Sequence, residues 1–186
     1  MSEAYEKEVY AHKDLVKQSM HDMALDLTIR SHMHDMSKFS PEEQEIYERV
    51  TPKFKDVKYG TPEYEAVKAE LGPALAHHYR VNDHHPEHFA RGVEGMNAMQ
   101  LSECIADIYA AIRRDPNTHL IESMEAWRDK YKVGPQLYSI ILNTIIWLSN
   151  GAPLASKGLS NPDYEQREFG PHSPESSSYD CFDSDL

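Results

Sequence analysis

Eleven histidines stand in 186 residues, nine of them between His12 and His88. Imidazole is the commonest protein metal ligand, so where these rings can meet other donors is the first question. His34 and Asp35 are adjacent. Near a helix end, such a pair can reach one cation, with a nitrogen from one residue and a hard, charge-neutralising oxygen from the other. Two ligands do not make a site. His12 lies between Val9 and Val16 on an apolar stripe. By itself it reads as a core histidine bonded to backbone, because buried polar groups find partners. Asp107 is flanked one turn to either side by Cys104 and Ala111. A carboxylate on such a face needs a cation, because a buried unpaired charge is costly. Glu103 precedes Asp107 by four residues and shares its face.

A denser run follows at His77-His78-Tyr79-Arg80-Val81-Asn82-Asp83-His84-His85. His78 and His85, or His77 and His84, are seven apart, a spacing that returns to one face of a continuous helix. Either pair offers ligands to a second ion. The competing reading is that these rings line a pocket and touch substrate.

The elements that must position these residues are helical throughout. Residues 2–31 read as a long helix, with Tyr5, Val9, Val16, Met20, Met23 and Leu27 on one stripe. Ser40-Pro41-Glu42-Glu43 reads as the start of a short helix, with Ser as cap, Pro in the first position and acids in the first turn. Thr61-Pro62-Glu63 starts another that runs to about Asn82, kinked or split by Pro73. A helix from about Asn97 to Arg114 buries Leu101, Ile105, Ile108 and Ile112. Asn117 caps one that reaches about Tyr131, and Gly134-Pro135 opens the last, which ends at Asn150-Gly151. No segment alternates as a strand. The expectation is an all-α domain of six or seven helices over residues 1–153, followed by an acidic Ser- and Pro-rich tail over 154–186.

Composition narrows the function classes. Apolar residues make up 40% and charged residues 27%, with a mean hydropathy of −0.67, a soluble globular profile. The longest apolar-rich run, Leu137 to Leu148, is 12 residues and is interrupted by Asn143 and Thr144, too short to span a bilayer. The N-terminus has no apolar signal core, so a cytoplasmic protein with no membrane partner is expected. Net charge is −12, which argues against a nucleic-acid polymer as partner. Residues 162–186 carry seven acids against Arg167 alone, so the body is only mildly acidic and a small anionic substrate is compatible with it. Two cysteines make no disulfide framework. The oligomeric state is open, a homo-oligomer included.

The order His12…His34-Asp35…Asp107 resembles the H…HD…D signature of the HD superfamily of metal-dependent phosphohydrolases. His34-Asp35-Met36-Ser37-Lys38 is similar to its HD-x-x-K form. Residues 5–150 as a whole look like a group of small HD-like proteins of bacteriophages, on the strength of His34 to Glu42, His77-His78 through Glu87, and Glu103 to Asp107. The resemblance implies an HD-like helical bundle and a divalent metal (Mn, Co, Mg, Zn or Fe) held by His12, His34, Asp35 and Asp107. A second ion on His78 and His85 is an option. It places Lys38 near the substrate phosphate, with Arg80 assisting, and His77, Asn82 and His84 around the substrate. Glu103 is then the general acid or base. The implied substrate is a nucleotide, a nucleoside monophosphate, hydrolysed in the cytoplasm (the host cytoplasm for a phage protein). Two other readings stand beside this one. The first is an HD-type di-iron oxygenase, favoured by the dense His77–His85 run. The second is a non-catalytic, metal-stabilised protein that binds a host partner through its acidic tail.

Overall fold

In a computed structural model of the chain, residues 2–57, 61–114 and 119–151 are described, and among them every regular element is helical. Seven α-helices follow one another: α1 (Glu3–Met33), α2 (Gln44–Val50), α3 (Pro62–Ala69), α4 (Gly72–Val81), α5 (Ala98–Arg114), α6 (Leu120–Tyr131) and α7 (Pro135–Gly151). Short 3-10 turns lie at Met36–Phe39, Thr51–Asp56, Pro86–His88 and Gly92–Gly95. The chain divides into two compact units, Met1–Ile145 and Ile146–Leu186. In the described part of the second, Ile146 and Ser149 are buried and Trp147 is exposed. The expected tail beyond 153 and the expected cap Asn117 lie outside the described residues. No described helix is long and apolar enough to cross a membrane.

Local chemistry accounts for most boundaries. The Ser2 hydroxyl accepts the Tyr5 N–H and caps α1, and the Thr61 hydroxyl caps α3 through the Tyr64 N–H. The helix expected over 61–82 is split rather than kinked. α3 stops at Ala69, Gly72 takes a positive φ of 32°, and Pro73 falls in the first turn of α4, where its missing N–H costs nothing. Ser40 does not cap α2 with its side chain. Its hydroxyl is buried without a hydrogen-bond partner, and its carbonyl accepts the N–H groups of Glu43 and Gln44 instead. Residues 41–43 form a turn and α2 begins at Gln44.

The core of the first unit is small and apolar. It includes Val50, Leu71, Ala74, Val93, Cys104, Ile105, Leu120, Met124 and Ile141. Of the expected α5 stripe, Ile105 is buried, while Leu101, Ile108 and Ile112 are half-buried. The α1 stripe departs further from expectation. α1 has no buried residue, and Tyr5, Val9, Val16, Met20 and Met23 are all exposed. Only its C-terminal end, at Asp26, Leu27 and Arg30, becomes half-buried, on the side where α1 packs against α5.

Candidate metal centre

α1 ends by delivering the residue that follows it into the interior. His34 is the C-cap of α1, and Asp35 takes a left-handed conformation with φ 58°. Asp tolerates that region better than most residues, and a non-glycine held there is a common feature of functional sites. The reversal leads into the 3-10 turn Met36–Phe39, where the Lys38 N–H bonds the Asp35 carbonyl at 2.9 Å. Lys38 Nζ thereby comes 2.5 Å from Asp35 Oδ2, and it also sits over the Tyr47 ring.

The second contribution comes from the end of α4 and the loop after it. His78 is buried in α4. His84 and His85 follow in the loop, with His84 only 2% exposed. Their Nε2 atoms converge on Asp35. His78 Nε2 is 3.2 Å and His84 Nε2 3.5 Å from Asp35 Oδ1, and His78 Nε2 is 2.9 Å from His85 Nε2. The third contribution is α5. Asp107 Oδ1 lies 3.6 Å from His34 Nε2, the same distance as Asp35 Oδ2. Two ligand groups result, each with donor atoms within 4.8 Å of one another: Asp35, His78, His84 and His85, and His34, His84 and Asp107. His84 belongs to both.

This donor set fits a metal ion. Asp35 Oδ1 and His84 Nε2 are buried and have no hydrogen-bond partner. Unsatisfied buried polar atoms are rare in native proteins, because each carries a desolvation cost that nothing offsets. A cation between them satisfies both at once, and mixed nitrogen and oxygen donors suit first-row divalent ions.

Behind the rings lies a layer of carboxylates that sets their orientation. Glu103 Oε1 is 2.9 Å from His34 Nδ1 and 3.2 Å from His84 Nδ1, and its other oxygen accepts a bond from Arg30 at 3.0 Å. Glu43 does the same on the other side, 2.7 Å from His77 Nδ1 and 2.9 Å from His78 Nδ1. A carboxylate at Nδ1 fixes the tautomer and leaves Nε2 facing the cation, the usual arrangement around metal-bound histidine. Arg30 is itself held by Asp26 and Asp83. The Asn82 amide donates to Ser37 Oγ and to the His78 carbonyl, bracing the same turn.

The electrostatics are those of a cation site. Burial alone would raise the Asp35 carboxyl, but His78, His84 and Lys38 beside it outweigh that and hold it far below the usual range. The Asp107 carboxylate, against the cost of burial and with help from Glu103, raises His34 to about 9. Burial, and then the neighbouring His84 and His78, push His85 down to about 4. Asp107 is lowered by His34 in spite of its burial. A cleft of about 300 Å³ adjoins the cluster, with Met33, Met36 and Val81 on its apolar side and Asp83, His84 and Glu103 on its polar side.

Several expected roles change. His12 is exposed on α1, 22 residues before His34, which is roughly 33 Å along a helix. It cannot share an ion with His34 of the same chain, and His84 stands where a fourth donor is needed. His84 is therefore a ligand candidate, where a substrate contact was expected. Glu103 is half-buried and bonds the Nδ1 atoms of His34 and His84 as well as Arg30, so it orients ligands where proton transfer was expected. His77 turns away to Glu43, Asn82 is a brace, and Arg80 is exposed outside both ligand groups. His34, Asp35, Asp107, His78 and His85 do come together, with Lys38 alongside. Sequence reasoning missed Arg30 and Glu43. Arg30 stands one helical turn before His34, a spacing that signals a shared face. Glu43 had no such signal.

Residues 1–146 match the model of one protein family, described as a family of unknown function, DUF5662. The chain belongs to that family. No curated protein and no solved structure matches it. The matched stretch includes every residue of the two ligand groups, so the DUF5662 region of this chain contains the whole candidate centre.

Proposed function

We propose that the chain is a metal-dependent phosphohydrolase of the HD type, acting on the phosphate ester of a nucleotide, a nucleoside monophosphate. The observation that supports this most is the meeting of His34, Asp35, His84 and Asp107 in two ligand groups that share His84, with Asp35 Oδ1 and His84 Nε2 buried and without a hydrogen-bond partner and Lys38 at the edge. A divalent ion bound there supplies Lewis acidity toward a phosphoryl oxygen and lowers the pKa of water. His34, His84 and Asp107 hold one ion. Asp35, His78, His84 and His85 make a second position. Lys38, whose side chain is over one-third exposed, binds the anionic phosphate as a point charge. Glu103 and Glu43 keep the imidazoles in one tautomer. Asp107 is also about one-third exposed.

One specific observation favours a second reading. The group Asp35, His78, His84 and His85 is a nitrogen-rich second position, and two irons there and at His34 would suit an HD-type oxygenase. Elemental analysis of the purified chain, paired with oxygen-electrode and phosphate-release assays, separates the two. Phosphate release without oxygen uptake supports hydrolysis. Two irons per chain with oxygen consumption and no phosphate release supports the oxygenase and overturns the hydrolase.

A further inference from the structure

We propose that the cleft beside His84 is the subsite for the nucleoside half of the substrate, and that it selects a base carrying an exocyclic amine. Its assignment to a substrate rests on the hydrolase reading. Its affinity for an amino-bearing ring rests on its lining alone.

The cleft, of about 300 Å³, lies where the end of α1, the turn after it, the end of α4 with its loop, and α5 come together. That is the size of a site for one small organic molecule. His84, the ligand candidate common to both groups, lines it and is 2% exposed. Neither Lys38 nor Asp107 is part of its walls, so it meets a different part of a substrate from the part that Lys38 binds.

The two walls differ in chemistry. Met33, Met36 and Val81 make one. They come from three separate elements and are 60%, 47% and 44% exposed. Gathered around one cleft, they offer a face to a flat ring, and methionine adapts well to such a surface. The other wall accepts hydrogen bonds. The Asn82 amide donates to Ser37 Oγ and to the His78 carbonyl, which leaves its own oxygen for a ligand. Asp83 Oδ1 accepts one bond, from Arg30, and has room for a second. Arg30 is the one arginine or lysine on the walls among the described residues. Four of its five N–H groups already go to Asp26, Asp83 and Glu103.

That combination specifies the occupant. A second phosphate would face the Asp83 and Glu103 carboxylates, with the guanidinium already committed, so an anion is disfavoured. A neutral ring lies against the apolar wall and donates from its edge to Asn82 and Asp83. Cytosine, adenine and guanine each carry an amine that donates twice. Uracil and thymine place a carbonyl oxygen where cytosine has its amine, and that oxygen opposes the same acceptors.

The test uses nucleosides without phosphate, so it reads the cleft whether or not the chain hydrolyses an ester. Cytidine and uridine share the sugar and differ at that edge. An NMR titration of the full chain should give cytidine an affinity about tenfold or more above that of uridine. Met36→Ala/Val81→Ala, at two exposed positions, should weaken cytidine binding by about tenfold. With methyl-labelled methionine, cytidine should shift the Met33 and Met36 signals and leave that of Met20 in place, a reading that needs no variant. Absence of cytidine binding, equal affinity for the two nucleosides, binding unchanged in the double variant, or no shift at Met33 and Met36 each overturns the proposal. Any of these beside phosphate release from nucleoside monophosphates leaves the hydrolase reading intact. Cytidine bound in the cleft with no phosphate released from any ester removes that reading and keeps the cleft as a nucleoside site.

Discussion

His34 shows how a side chain's surroundings reveal its purpose. Without a cation it sits between the Asp107, Asp35 and Glu103 carboxylates and is held protonated up to about pH 9, against an ordinary value of 6.5. A histidine raised in the fold stabilises the metal-free protein fully below pH 6.5 and loses that contribution as pH rises through about 9. The metal-free chain should therefore melt lower at pH 9 than at pH 6.5, measurable by circular dichroism. A metal ion must displace the same proton. Its apparent affinity should rise by about tenfold per pH unit toward pH 9, with proton release on binding. Titration calorimetry in buffers of different ionisation enthalpy checks this. Glu103 gives a second prediction at this scale. It bonds the Nδ1 atoms of His34 and His84, so Glu103→Gln should weaken metal binding by about 10–100-fold. A variant with full affinity and slowed turnover would return Glu103 to proton transfer. The His34-Asp35 pair and Asp107 are legible in the sequence because a carboxylate on an apolar helix face needs a cation to offset its burial. Glu43 is not legible. An acid two residues after a helix-capping Ser-Pro reads as a favourable charge on a helix start, and nothing in one dimension distinguishes that from a buried partner of two histidines.

The elements carry the same lesson about distance. α1 is legible end to end, since 31 residues without Gly or Pro and with a helical stripe admit little else. That very length separates His12 from His34, which residue order alone does not convey. His12→Ala should leave metal affinity unchanged, and a large loss would mean that another copy's His12 completes the site. The division of α3 from α4 is legible at Pro73. The Ser40 cap is not, because capping requires the hydroxyl to face the next turn, and here it is buried with its own carbonyl taking the N–H groups. Just before α2, Glu43 joins that turn to α4 by bonding His77 and His78 while fully buried. Removing it leaves His77 Nδ1 without an acceptor and His78 Nδ1 with only Ser37 Oγ, so Glu43→Ala should cost about 3 kcal/mol of stability. Denaturant unfolding measures that loss, and a change under the usual surface-mutation size would show that the bridge contributes little.

Over the whole molecule, charge and chemistry are separated along the sequence. Half of the net charge of −12 falls within residues 162–186, far along the chain from Lys38, and the cation site is assembled from three separate stretches: the end of α1, the end of α4 with the loop after it, and the middle of α5. Each stretch is short, so the site depends on the packing of α1 against α5 and of α4 against the turn that follows α1. His84 is the one residue shared by both ligand groups, and its removal should disable both positions. The most direct measurement is phosphate release from nucleoside monophosphates by the chain loaded with each divalent metal in turn, for the unaltered protein and for His84→Ala. The expected result is turnover that needs a divalent ion, stops on chelation and is lost in His84→Ala while the helices persist. Turnover that survives chelation, or no phosphate from any ester with any metal bound, would contradict it.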